Sequence, residues 1–209
     1  AQVVDFADVV FLAVKPQFLE EVLDEIKDNV KEGQIFISIA PGKTLQWLGE
    51  HLGEGTKIIR TMPNTPAMVG EGMTALCVNE QVTEQETLLA VTLCNTFGKS
   101  EVIPEHLMDA VVGVSGSSPA YVFMFLEAMA DAAVADGMPR AQAYKFAAQA
   151  VLGSAKLMLE TGKHPGELKD MVCSPAGTTI QAVRVLEEKG LRSAVIEAQM
   201  ECVKKAKGM

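Results

Sequence analysis

The residues best suited to chemistry lie in Cys173-Ser174-Pro175-Ala176-Gly177-Thr178-Thr179, directly ahead of the amphipathic stretch IQAVRVLEEKG. A small-residue loop entering a helix presents backbone N–H groups without intrahelical partners, together with the positive end of the helix dipole. Ser174, Thr178 and Thr179 add hydroxyls at the same place. Such a loop holds a carboxylate or phosphate without needing a basic side chain. The alternative is that a Ser or Thr simply caps the helix. Cys173 is a nucleophile by type only, because no histidine is close in sequence and a buried thiol is the plainer reading.

A second cluster, GVSGSSPAY from Gly113 to Tyr121, resembles a nucleophile elbow only superficially: Ser117 rather than glycine stands two residues after Ser115. It predicts a tight small-residue turn that lets a backbone or ligand approach closely, with Pro119 starting a helix. Glu105 lies just upstream. Three more segments follow expected strands: Ala13-Val14-Lys15-Pro16, Ser38-Ile39-Ala40-Pro41-Gly42 and Met62-Pro63-Asn64-Thr65-Pro66. Ligands of open α/β sheets bind at the carboxyl ends of strands. Lys15 there is placed to meet a phosphate or ribose, or to stay solvated. Two prolines stiffen the loop that carries Asn64 toward the same crevice.

The elements that must position these loops have two textures. DVVFLAV, from Asp8 to Val14, is a β-branched run of the kind buried on both faces of a sheet. Pro16 then opens a helix with apolar residues at Leu19, Val22, Leu23, Ile26 and Val30, stopped by Gly33. Strands are expected at Ile35–Ile39, Thr56–Arg60, Gly72–Val78 and Lys99–Ile103, and helices at Leu45–His51 and Thr83–Phe97. This rhythm predicts α/β with a largely parallel, doubly wound sheet. After Pro104 only helical patterns remain: Pro119–Gly137, Arg140–Glu160, then two more bounded near Gly190 and the basic KKAKG end. The chain therefore divides into an α/β domain, 1–103, and an all-α domain, 104–209. The first long helix is apolar nearly all round and must be buried centrally or against another chain. A helical half of this size has limited interior, so packing against its own copy is expected.

Composition narrows the classes. The 209 residues are 48% apolar and 22% charged, which is ordinary for a globular protein. A net charge of -9 argues against a general nucleic-acid binder. No apolar run reaches the roughly 18 residues of a membrane span, and no basic leader precedes an apolar stretch at the start. Cys77, Cys94, Cys173 and Cys202 form no CxxC pair, as expected of reduced thiols in a cytoplasmic protein. His51, His106 and His164 lack ligand spacing, so no metal site is expected. No G-x-G-x-x-G occurs; about two βα units of roughly 30 residues each are expected upstream to complete a dinucleotide fold.

LAVKP, the PNTP loop, GVSGSSPAY and above all HPGELKDMVCSPAGTTIQAVRVLEEKG, in this order and spacing, resemble pyrroline-5-carboxylate reductases. The resemblance runs from residue 1 to about residue 205. It implies a Rossmann domain, of which the glycine-rich front is not in this sequence, followed by a helical dimerisation domain whose dimers often form decamers. It also implies the last step of proline biosynthesis, in which NADPH or NADH reduces 1-pyrroline-5-carboxylate to L-proline. By that resemblance Ala13, Val14, Lys15, Pro16, Ile39, Ala40, Pro41 and Asn64 contact the cofactor. Ser174, Gly177, Thr178 and Thr179 hold the substrate carboxylate, Thr179 acts near the ring nitrogen, and Glu105 binds substrate. Ala176 stands where the family more usually has glycine, and Pro41 where many members have alanine. Two readings compete: another Rossmann-type reductase of a hydroxy acid or imine, using Lys156, Lys163 or Lys169 as its acid–base group, and a non-catalytic oligomerisation fragment.

Overall fold

The structure, a computed structural model, describes residues 2–208. Apolar runs form β1 (Val9–Leu12) and β2 (Ile35–Ser38), and more mixed segments form β3 (Lys57–Met62), β4 (Gly72–Val78) and the polar edge strand β5 (Gly98–Val102) of one sheet, in the order β1-β2-β3-β4-β5. β1, β2 and β3 run parallel. β4 is antiparallel to β3, and β5 is parallel to β4. The link of residues 63–71 is too short for a parallel crossover, which needs a dozen residues or more, so the chain must reverse there.

Helices cover both faces. α1 (Pro16–Ile26) and α2 (Leu45–Leu52) bury Leu19, Leu23, Ile26, Leu48 and Leu52 against Val10, Leu12, Phe36 and Ile58. α3 (Glu84–Cys94) packs Ala90 and Cys94 on Ile35, Ile37, Ile59 and Leu76 of the opposite face. The alternation of Phe36 with Ile35 and Ile37 is the period-two consequence of a pleat. α3 starts on a capping box formed by Thr83 and Glu86, and Glu86 also pairs with Lys57 of β3. Gly72 and Gly98 pair at the start of β4 and β5, where a Cβ on Gly98 would lie 2.0 Å from the Gly72 carbonyl oxygen.

From Glu105 to Ala135 the chain is continuously helical: a short 3-10 turn, α4 (Met108–Val111), a π-helical turn at Val112–Gly116, then α5 (Ser118–Ala135). Two expectations are corrected here. GVSGSSPAY is not a turn between helices, because Ser117 N–H donates to the Val112 carbonyl at 2.8 Å and carries the helix across. By length and composition this 31-residue stretch would also serve as a membrane span, although only 6% of its apolar window is buried. The sequence reading started the helix at Pro119 after a turn, both of which the continuous helix absorbs.

α6 (Arg140–Thr161), α7 (Pro165–Val172), α8 (Thr178–Glu188) and α9 (Leu191–Lys207) complete the chain, giving three helices after α6 where two were expected. The addition is α7, opened by Pro165 and capped by His164, whose Nδ1 accepts from Gly166 N–H at 3.1 Å. The molecule resolves into two compact units: the α/β part up to Pro119 with the segment from Met200, and Ala120–Gln199.

Candidate active site

Because β1, β2 and β3 are adjacent and parallel, the loops that follow them emerge at one edge of the sheet. Ala13–Pro16, Ile39–Pro41 and Asn64 are thereby brought together along that edge. Ala13 and Lys15 are exposed, Val14, Pro16, Ile39, Pro41 and Asn64 half-buried, and Ala40 buried. Lys15 is the N-cap of α1 but makes no side-chain cap, and Pro16 fills the first helical turn. The edge therefore offers small apolar surfaces, an open helix N-terminus and a solvent-facing ammonium. These features fit the flat rings, ribose and anionic linkage of a dinucleotide.

Asn64 is held at both ends of its amide. Its Nδ2 donates to the Ser115 carbonyl at 3.0 Å, and its Oδ1 accepts from Met73 N–H at 2.8 Å. The Ser115 carbonyl is available because its i+4 neighbour is Pro119, which has no N–H. Gly116 packs so closely that an added Cβ would lie 2.9 Å from Met62 Cε. The π-helical turn thus belongs to this edge, an association no linear motif announced.

Glu105 is committed within the α/β unit. Its Oε1 accepts from Arg60 Nη1 at 2.9 Å and from Leu45 N–H, in the first turn of α2, at 2.8 Å. Thr44 Oγ1 accepts from Trp47 N–H at 3.0 Å. Arg60, only 7% exposed, was missed by sequence reasoning; a cation in mid-strand, directly after two isoleucines, is the signal that could have found it. Nearby Cys77 has its thiol pushed up to about 12, first by burial and then by the Glu105 carboxylate, with Arg60 opposing. Cys94 is raised by burial alone. Those two thiols are buried, whereas Cys173 and Cys202 are half-buried; all four are free.

In the helical unit, Ser174–Gly177 forms a turn closed by Gly177 N–H donating to the Ser174 carbonyl at 3.0 Å. Pro175 supplies its second residue and Ala176 its third, at φ 59°, a left-handed conformation that favours glycine. Gly177 then serves as N-cap of α8 with no side-chain bond. Simple capping by Ser or Thr is therefore not what this loop does. Among the described residues the hydroxyls of Ser174, Thr178 and Thr179 make no hydrogen bond to protein, and Ser174 and Thr178 are exposed at the start of α8. A helix terminus of this kind can hold an anion. The lysines of the competing reading are all engaged: Lys156 with Glu160 at 3.6 Å, Lys163 with Glu167 at 2.6 Å and Lys169 with Asp170 at 2.5 Å.

A mostly parallel sheet whose β1, β2 and β3 loops share one edge, followed by a helical unit, is the architecture of dinucleotide-dependent oxidoreductases. Residues 105–209 match the family described as pyrroline-5-carboxylate reductase dimerisation, and residues 1–42 that of NADP oxidoreductase coenzyme F420-dependent. The chain is 60% identical over 205 residues to the pyrroline-5-carboxylate reductase of Escherichia coli strain K12, covering 98% of this chain and 76% of that one. The solved pyrroline-5-carboxylate reductase of Coxiella burnetii matches with a TM-score of 0.93 at 38% identity, over 99% of this chain and 77% of that one. The pyrroline carboxylate reductase of Plasmodium falciparum, with NADP bound, matches with a TM-score of 0.91 at 31% identity, over 99% and 79%. This chain belongs to the pyrroline-5-carboxylate reductase family.

Proposed function

We infer that the chain reduces 1-pyrroline-5-carboxylate to L-proline with NADPH or NADH, the closing step of proline biosynthesis. The observation that carries this reading is the uncapped N-terminus of α8, with its free hydroxyls, in a chain of this family. The substrate carboxylate docks on the amides of Thr178 and Thr179 and on the Ser174 and Thr178 hydroxyls, with Gly177 leaving room for the approach. Thr179 donates or accepts at the ring nitrogen, where a proton must reside as the C=N bond becomes an amine. When bound, the reduced nicotinamide supplies the hydride. The residues along the sheet edge, Ala13–Pro16, Ile39–Pro41 and Asn64, bind and orient it; Lys15 faces its anionic or ribose portion. Catalysis is then mostly a matter of holding the imine carbon and the donor in register, so no acid–base pair is needed.

Residues 1–103 form the cofactor domain and 104–209 the substrate and dimerisation domain. The apolar residues α5 and α6 expose, among them Phe123, Phe146 and Leu159, pack against a second copy of the chain, and such dimers assemble further into decamers in the cytoplasm. NADPH oxidation followed at 340 nm tests the chemistry: turnover with pyrroline-5-carboxylate and none with 3-hydroxy acids is expected, and the reverse preference would overturn it. Light scattering tests the assembly, where a monodisperse monomer would remove the dimer.

A further inference from the structure

We propose that Arg60 and Glu105 are positioning residues for the cofactor edge: their buried pair holds the turn of residues 39–44 by gripping the first amide of α2. The inference rests on the reading that Ile39, Ala40 and Pro41 touch the cofactor.

Arg60 sits inside β3, paired in register with Ser38 of β2 and Cys77 of β4. A guanidinium in such a strand is tolerated only when its charge is met. Glu105 meets it with Oε1, and the same oxygen takes Leu45 N–H. Two donors on one oxygen leave the carboxylate little freedom. The turn between β2 and α2 is therefore fixed at both ends. At the start, Thr61 Oγ1 donates to the Ser38 carbonyl at 3.1 Å; at the finish, Glu105 holds Leu45. The residues between carry Ile39, Ala40 and Pro41 at the edge, so the pair sets their height above the sheet. Charge also favours the arrangement, since a carboxylate lies at the positive end of α2.

The protein contains its own reporter. Its single tryptophan, Trp47, lies in the first turn of α2, with Lys43 Nζ 3.8 Å from the ring centroid and the His51 ring 3.9 Å away. Loosening the Leu45 end must change what surrounds that indole.

The test uses the full chain and three variants: Glu105→Ala, Glu105→Gln and the double variant Arg60→Met with Glu105→Ala. Glu105→Ala is expected to raise the KM for NADPH about tenfold, the scale of losing a charge-assisted hydrogen bond, with the KM for pyrroline-5-carboxylate little changed. Trp47 emission should shift to the red. Glu105→Gln, which keeps an acceptor for Leu45 N–H, should restore most of both. The double variant removes the stranded cation and should show the same KM shift should the single variant fold poorly. A rise in the KM for pyrroline-5-carboxylate alone, with Trp47 emission unchanged, would make Glu105 a substrate contact and overturn the proposal. No change in either readout would reduce the pair to a stabilising contact and overturn it as well. Should the wild-type chain reduce no pyrroline-5-carboxylate, the functional reading fails, while the NADPH dissociation constant and Trp47 emission still decide the role of the pair.

Discussion

Replacing Gly177 by alanine should injure substrate binding while leaving the fold intact. An added Cβ would stand 2.3 Å from Ser174 Oγ and 3.1 Å from the Ser174 carbonyl oxygen. The hydroxyl must withdraw by roughly 1 Å, or rotate away from the α8 terminus, to restore an ordinary contact. The backbone itself, at φ -75°, accepts alanine without strain. The stability cost is then the difference between glycine and alanine as N-caps, about 0.5–1 kcal/mol, or roughly 1–4 °C in Tm for a chain of this size. If Ser174 Oγ donates to the substrate carboxylate, losing that bond costs about 1.5–3 kcal/mol, a rise of about 10- to 100-fold in the KM for pyrroline-5-carboxylate. Initial rates of NADPH oxidation at saturating NADPH, with Tm measured alongside, separate the two effects. Ser174→Ala supplies the control: it should match Gly177→Ala, and the double variant should be no worse than either. A wild-type substrate KM in Gly177→Ala, or fully additive losses in the double variant, would refute the reasoning.

Ala176→Gly should raise Tm by about 2 °C, because Ala176 at φ 59° carries about 1 kcal/mol or more of left-handed strain that glycine lacks, offset in part by glycine's freer unfolded chain; calorimetry showing no gain would place the strain elsewhere. Thr179→Ala should lower kcat about tenfold and leave NADPH affinity nearly untouched, so unchanged steady-state kinetics would end its assignment near the ring nitrogen. The Cys77 thiol, lifted from 9.0 to about 12, stays protonated in the folded chain after the unfolded chain has ionised. Its contribution to stability is therefore present below pH 9 and declines as the pH climbs toward 12, by at most about 1.4 kcal/mol per unit. Cys77→Ala should show a shallower fall in Tm from pH 8 to 11, and a slope equal to that of the wild type would contradict the burial of this thiol.

The strands were legible because runs such as Val9–Leu12 and Ile35–Ser38 are apolar and bounded by turn residues; Ile35–Ser38 is buried on both faces, whereas Val9–Leu12, expected to be so, leaves Phe11 exposed at the sheet's outer strand. Strand direction was not read from such runs, since periodicity is the same either way; only the short link from Met62 to Gly72 carried the information. The π-helical turn was hidden for a different reason. Glycine, serine and proline normally punctuate a helix, yet here the i−5 bond from Ser117 bridges them and the amide of Asn64 takes the carbonyl that Pro119 leaves unserved. α7 escaped because eight residues contain too few periods to stand out. The composition of the α8 loop was legible, whereas its open terminus was not, because Ser, Thr and Gly are equally good signs of a capped helix. Arg60 and Glu105 are 45 positions apart, and no local pattern joins them.

In Ala120–Gln199 the only buried side chains among the described residues are Ala130, Ala143 and Ala147, while Phe123 is 64%, Phe146 68% and Leu159 84% exposed. Three fully buried methyl groups, with the partly buried apolar residues around them, leave little complete burial to set against a backbone entropy cost of about 1–2 kcal/mol per ordered residue. The dimerisation family that residues 105–209 match points to a second copy as the source of the missing apolar burial for this part. Its stability then gains an axis that a self-sufficient domain lacks: dilution alone should unfold it, and midpoint temperatures should climb with protein concentration.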